Sequence, residues 1–202
     1  MQPNGPPACV RCGVELPGAF DAVLYCPSCR RRASAFEMAR SPWCYVGPIR
    51  QAVHEFKYHH RWRLGAWLAQ DMARCAQTLL PLEDIDGIVP VPAFWLKRRI
   101  KGFNPAEELA RTLSGSLEKP LLRRALRQTR WTSTQTRLRG RKRWSNVRAA
   151  FAARPREVAE HTVLLVDDVF TSGATAQACA LALREAGARN VYVLTAARTP
   201  LS

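Results

Sequence analysis

The sequence has no apolar run of about 18 residues or more, the length a membrane-spanning helix requires, so neither a membrane span nor a membrane partner is expected. The first residues, Met1-Gln-Pro-Asn-Gly-Pro-Pro7, lack the basic and apolar stretch of a secretory signal. A cytoplasmic protein is expected. Neither G-x-x-x-x-G-K-[ST] nor G-x-G-x-x-G occurs, which excludes the P-loop and the dinucleotide fingerprint. No block of Lys and Arg exceeds three residues, so the chain does not read as carrying a disordered basic tail. The four histidines, His54, His59, His60 and His161, show no paired metal spacing. No internal repeat is present.

Acidic residues are scarce: 16 Asp and Glu stand against 31 Lys and Arg, a net charge of +15. The imbalance is concentrated. Between Phe94 and Arg148 there are 16 Lys and Arg and three acids (Glu107, Glu108 and Glu118), so this stretch supplies +13 of the +15. Such a field attracts polyanions, either nucleic acid or small phosphates.

Seven cysteines, an odd number, argue against a disulfide framework. Four of them form two knuckles, Cys9-Val-Arg-Cys12 and Cys26-Pro-Ser-Cys29, separated by thirteen residues. Each knuckle turns two thiolates to one side, and two knuckles together make a tetrahedral zinc site. Four cysteine ligands leave no open coordination position, so the expected zinc is structural. A segment this short and this poor in apolar groups cannot build its own core, and metal binding would supply the missing folding energy. Cys75 and Cys179 fall within apolar helical patterns and read as core residues; Cys44 lies outside the knuckles.

The composition changes after Pro42, and the division expected is a four-cysteine zinc-ribbon module over 1–45 followed by an α/β domain over 46–202. Ile49, Val53 and Phe56 mark one face of a helix over 47–58. Leu64, Trp67, Leu68, Met72, Cys75, Ala76 and Leu79 recur at helical spacing over 63–80. A short apolar strand over 85–91 is closed by Pro90 and Pro92, and 105–117 reads as a helix. The segment 119–149 is basic and weakly periodic and reads as a long excursion; Trp131 and Trp144 lie in it. The last quarter reads strand 161–166, turn 167–172, helix 174–186 stopped by Gly187, strand 191–196: a βαβ unit of a parallel sheet.

The turn in that unit carries the chemistry. Asp167 and Asp168 follow an apolar strand, and Thr171-Ser172-Gly173-Ala174-Thr175 opens a helix. Backbone N–H groups at a helix N-terminus point outward, and the helix dipole favours negative charge there. Gly173 allows close backbone approach; Thr171, Ser172 and Thr175 add hydroxyl donors. The two carboxylates sit at the carboxyl end of a parallel strand, where open α/β sheets bind ligands. They suit the two hydroxyls of a ribose, directly or near Mg²⁺.

Val163 to Thr175 resembles the phosphoribosyl-pyrophosphate (PRPP) motif of type I phosphoribosyltransferases. Three further stretches are similar to the ComF family. Val89-Pro-Val-Pro92, with Lys97-Arg98-Arg99 and Gly102-Phe-Asn104, resembles its pyrophosphate-side loop. Thr132-x-x-Gln135-x-x-Leu138, with Arg143-x-x-Asn146-Val147 and Phe151, resembles its flexible loop. The four-cysteine ribbon belongs to the same pattern. Three positions depart from it: Lys101 and Pro105, in Lys101-Gly-Phe-Asn-Pro105 where the family often has Arg-Gly-Phe-Asn-Gln, and Ser172, in Thr171-Ser172-Gly173 where it usually has Thr-Thr-Gly. Lys101 keeps the charge, Ser172 keeps a hydroxyl, and Pro105 suits the first turn of the following helix.

The resemblance implies an α/β fold of the type I phosphoribosyltransferase kind, a five-stranded, mainly parallel sheet flanked by helices, with the zinc ribbon appended. It implies PRPP and Mg²⁺ as ligands and phosphoribosyl transfer in DNA uptake and natural transformation as the function. Asp167 and Asp168 would then serve the reacting ribose, and Thr171 to Thr175 would hold its phosphate. Lys97, Arg98, Arg99 and Gly102 would face the pyrophosphate. Gln135, Arg137 and Arg143 would close over the ligand. The alternative reading is a non-catalytic competence protein on the same fold that binds single-stranded DNA or proteins of DNA uptake and recombination.

Overall fold

The computed structural model describes residues 7–18, 24–59, 61–93, 103–129 and 150–201. The main sheet is formed by β1 (Met38–Arg40), β2 (Trp43–Cys44), β3 (Gly87–Pro90), β6 (Thr162–Phe170) and β7 (Asn190–Arg198). Its order is β1-β7-β6-β3, with β2 also paired to β7, and every pairing is parallel. The parallel sheet flanked by helices that the sequence predicts is therefore observed. A separate antiparallel pair joins β4 (Leu126–Gln128) to β5 (Phe151–Ala153). It lies at the base of the predicted excursion, whose flanks are held together by a hydrogen bond from Thr129 N–H to the Ala150 carbonyl at 2.8 Å.

The helices are α1 (Pro27–Arg31), α2 (Gly47–His59), α3 (Trp62–Leu79), α4 (Pro105–Ser116), α5 (Pro155–Val158) and α6 (Ala174–Glu185). One face of the sheet is covered by α2, α3 and α4, whose Phe56, Leu68, Met72, Leu109 and Leu113 meet Ile88, Leu164 and Leu194. The other face takes α6 and the cysteine knuckles, with Cys179, Leu183, Cys9 and Cys12 against Val163, Leu165, Val191 and Val193. The central strand β6 is buried on both sides from Thr162 to Val166, as expected of a parallel strand covered by helices on both faces.

Two features differ from the sequence reading for physical reasons, the end of β6 and the buried stripe of α3. Strand β6 does not stop at Val166 but runs to Phe170, because β7 continues beside it and pairs Asp167 with Thr195 and Phe170 with Arg198. Both carboxylates are therefore strand residues. The division at residue 45 falls after β1 and β2, so the sheet draws strands from both sides of it. In α3 the buried stripe is Gly65, Leu68, Ala69, Met72, Ala73 and Ala76, while Leu79 is exposed; small residues bring the neighbouring helices close.

Gly65 shows how close. A Cβ there would lie 2.4 Å from Cε2 of Phe56, a buried ring on α2. The absent methyl seats α2 on α3 and fixes the last turn of α2, which carries Lys57. Replacing Gly65 by Ala is expected to destabilise the fold by about 1–3 kcal/mol through overpacking, read as a lower urea midpoint at unchanged slope.

Candidate functional site

The C-terminal end of β6, the loop after it and the start of α6 enclose a cleft lined by Val91, Asp167, Phe170, Thr171, Gly173 and Thr175, among others. Gly173 is the N-cap of α6 at φ +75°, a left-handed conformation that side chains resist, and no side chain caps the helix. Among the described residues no side chain accepts from its first N–H groups, as an anion site requires. A Cβ on Gly173 would also come 2.7 Å from Cζ of Phe170. Backbone geometry and packing both demand glycine there. Thr171 and Ser172 are exposed, Ala174 is buried as the first residue of α6, and Thr175 is half-buried.

Neighbouring strand residues point to opposite faces, and the two carboxylates separate accordingly. Asp167 lines the cleft. Asp168 meets Lys57 of α2, with Nζ 2.7 Å from Oδ1 and both side chains largely buried. The Asp168 N–H donates to Asp167 Oδ1 at 2.8 Å. Burial, then repulsion from Asp168, pushes the Asp167 carboxyl up to about 7, although Lys57 and the Asp168 N–H work against the rise. Burial would lower Lys57, but the Asp168 and Asp167 carboxylates outweigh it and leave the ammonium above its ordinary value. Sequence reasoning missed Lys57. The one signal was its place beside Phe56 and four residues after Val53, at the edge of the apolar face of α2.

Asn104 is a second supporting residue. Its side chain caps α4 by accepting from Ala106 N–H at 3.2 Å and donates to the Val91 carbonyl at 3.0 Å. Those bonds hold together the two flanks of the segment that contains Lys97, Arg98, Arg99 and Gly102. These four residues, and Gln135, Arg137 and Arg143, lie outside the described residues.

The sulfurs of Cys9, Cys12, Cys26 and Cys29 all lie within 4.8 Å of one another, and the first three residues are buried. Gly13, at φ +67°, turns the first knuckle through its N–H to the Cys9 carbonyl; Pro27 starts α1 directly after Cys26. Hydrogen bonding to Cys12 and Cys9, reinforced by burial, pushes the Cys29 thiol far up. Four crowded sulfurs cannot all ionise without a cation among them, and a closed set of soft donors fits a tetrahedral divalent metal. Cys44 is not in the group; its thiol faces Glu15. Cys179 is fully buried in α6, and Cys75 is partly buried. His54, Glu55 and His59 form an exposed group on α2, in which Glu55 is engaged by His59 and Arg61.

The knuckles are fastened to the sheet. Ala39 N–H bonds the Arg11 carbonyl, the Arg40 guanidinium bonds the Val10 carbonyl at 3.0 Å, and Ala35 N–H bonds Gln177 Oε1 of α6 at 3.0 Å. The buried Arg198 guanidinium at the end of β7 donates to the Cys12 carbonyl and lies 5.1 Å from the centre of the Phe170 ring. That ring packs against Gly173 on one side and Phe36 on another. One side chain therefore touches both the first cysteine knuckle and the wall of the cleft.

The raised Asp167 has a consequence for stability. The folded chain holds its proton more tightly than the unfolded chain, so stability falls as pH rises between 3.8 and about 7. The raised Lys57 changes stability only above its ordinary 10.5, outside that window. Asp167→Asn is expected to flatten the fall and to be more stable than the parent at pH 8 by on the order of 1 kcal/mol, measured by chemical denaturation at pH 5 and pH 8.

No protein-family model matches the sequence. Among solved structures, the allosteric regulatory enzyme of purine biosynthesis aligns over 71% of this chain and 30% of its own at TM-score 0.47 and 19% identity. Purine phosphoribosyltransferase from Pyrococcus horikoshii Ot3 aligns over 63% and 71% at TM-score 0.39 and 16% identity. Scores of this size carry no weight beside the strand order itself. Sequence relatives are closer. Competence protein F of Haemophilus influenzae is 28% identical over 201 residues, covering 95% of this chain and 85% of the relative. DNA utilization protein YhgH is 30% identical in Escherichia coli K12 and 32% in Salmonella typhi, each covering 95% of this chain and 84% of the relative. Identity at that level along nearly the whole of both chains, with the four knuckle cysteines brought together and the carboxylate strand leading into the open end of α6, places the chain in the ComF family of competence protein F and DNA utilization protein YhgH.

Proposed function

We propose that the chain is a phosphoribosyltransferase that binds PRPP with Mg²⁺ in the cleft between β6 and α6, and that it acts in DNA uptake. The observation that supports this most directly is the conjunction of Asp167 with the uncapped start of α6 at Gly173. One end of the cleft offers a carboxylate to sugar hydroxyls and the other offers backbone N–H groups to a phosphate. The names of the relatives support the biological setting.

The residues divide the work as follows. The 5-phosphate rests on the N–H groups of Thr171 to Thr175, where the helix dipole favours its charge. Asp167, with Asp168 behind it, accepts from the ribose hydroxyls and stabilises the positive charge that builds at the anomeric carbon as the bond to pyrophosphate breaks. Bound Mg²⁺ would be held mainly by the diphosphate oxygens of the substrate, with Asp167 the nearest carboxylate of the cleft, and would neutralise the departing group. Lys97, Arg98, Arg99 and Gly102 are assigned to the pyrophosphate side, and Gln135, Arg137 and Arg143 to closure and exclusion of water. Cys9, Cys12, Cys26 and Cys29 hold a structural zinc that takes no part in bond making. These roles divide the chain into a zinc-ribbon part over 1–45, whose β1 and β2 also join the main sheet, and a phosphoribosyltransferase-like part over 46–202.

Calorimetric titration of the zinc-loaded protein with Mg²⁺ and PRPP is expected to give saturable binding. The Asp167→Asn/Asp168→Asn double variant is expected to lose about 100-fold or more in affinity, about 2.7 kcal/mol. Release of pyrophosphate on adding candidate acceptors distinguishes a transferase from a protein that only binds. A folded, zinc-loaded protein that does not bind PRPP overturns the proposal.

A further inference from the structure

Lys57 belongs to no motif of the sequence, yet it is the cation nearest the carboxylate pair among the described residues. It reaches Asp168 from α2, on the opposite face of the sheet from the cleft, and its Nζ lies 2.7 Å from Oδ1. The side chains of Lys57 and Asp168 are 21% and 15% exposed, so water contributes little to holding either charge. Asp168 in turn donates its N–H to Asp167 Oδ1 at 2.8 Å. The order is thus Lys57, Asp168, Asp167, cleft, each tied to the next. Two adjacent carboxylates in a place of low polarity repel each other and favour taking up a proton; a fixed ammonium opposes that as a divalent cation would.

The packing makes this cation permanent. Lys57 follows Phe56, whose ring fills the space left by Gly65 on α3 and stacks edge-on against Phe103 at 5.9 Å. The backbone of the last turn of α2 is therefore set by the core rather than by the ion pair. Among the described residues, the titratable groups that face the pair from the other packed elements are Tyr45, after β2, near Lys57, and the buried Cys179 thiol of α6, near Asp167.

We propose that Lys57 is the built-in counter-cation of the ribose subsite, a positioning residue that holds Asp168 and through it Asp167, so that a ribose phosphate binds there without a divalent metal. Metal is then required by the diphosphate and not by the sugar. This rests on the reading of the cleft as a ribose-phosphate site and adds to it which half of the ligand depends on Mg²⁺.

The test uses ribose 5-phosphate, which lacks the diphosphate. Titrations are run on the zinc-loaded full chain in buffer freed of divalent ions by resin rather than by a soluble chelator, which would strip the cysteine site. Wild type is expected to bind ribose 5-phosphate with affinities equal within about threefold with and without added Mg²⁺. Lys57→Met is expected to lose about tenfold or more without metal, about 1.4 kcal/mol, and to regain most of it in millimolar Mg²⁺, because the ion takes over the vacated charge. Lys57→Arg, which keeps the charge, is expected to bind without metal as wild type does. Circular dichroism and thermal melting verify that each variant is folded; should Lys57→Met fail to fold, Lys57→Gln with Lys57→Arg carries the comparison. Wild-type binding that requires Mg²⁺, or metal-free binding by Lys57→Met equal to wild type, overturns the inference. Absence of ribose 5-phosphate binding in every condition also overturns it. Parallel titration with Mg²⁺ and PRPP then separates the two failures: binding of PRPP leaves the reading of the cleft standing, and no binding removes that reading as well.

Discussion

Two carboxylates at the end of a strand covered on both faces are an electrostatic burden, and much of the site can be understood as the arrangement that carries it. Strand β6 continues past its apolar run because β7 keeps pairing with it, and that extension delivers Asp167 and Asp168 to opposite faces of the sheet. On one face Asp168 is balanced by Lys57. On the other, Asp167 looks into the cleft beside a helix start that no described side chain caps and whose dipole supplies positive potential. A carboxylate raised as Asp167 is costs the fold stability at neutral pH. Such a cost is ordinary where a group is arranged for a ligand rather than for the resting chain.

Much of this was legible in the sequence. The βαβ unit could be read because a continuous apolar strand, a glycine-bearing loop, a helix with small apolar residues and a second strand follow one another at fixed spacing. The cysteine cluster was equally plain, since two C-x2-C knuckles admit few other uses. What escaped was whatever depends on distance in space. The strand end was placed four residues early because two acidic residues and the residues after them look like a turn when read alone; β7 overrides that local preference. In the stripe of α3 the sequence reading found Leu68, Met72 and Ala76, which are buried, but not the small residues Gly65, Ala69 and Ala73 that close helix packing also selects.

Lys57 is the more instructive omission. A lysine between Phe56 and Tyr58 on an amphipathic helix looks like the solvated flank of that helix, and nothing local distinguishes it from Arg50 or Arg63. Its meaning comes from the crossing of α2 over the carboxyl end of β6, more than a hundred residues away in sequence. Asn104 is similar: its capping role could be foreseen from the proline that follows it, but its bond to Val91, which joins the flanks of a basic segment, could not.

The hydrogen bond from Arg198 to the Cys12 carbonyl spans 186 residues, and among the described residues β1 and β2 pair with β7 alone. The order of synthesis is therefore the reverse of the order of completion. The knuckles are made before β7, but the surface they dock on is complete only after Asn190–Arg198 has been made. Until then their apolar side has nothing to cover it. Contacts of such long sequence separation form late and slowly, so the docking of the knuckles belongs to the last steps of folding.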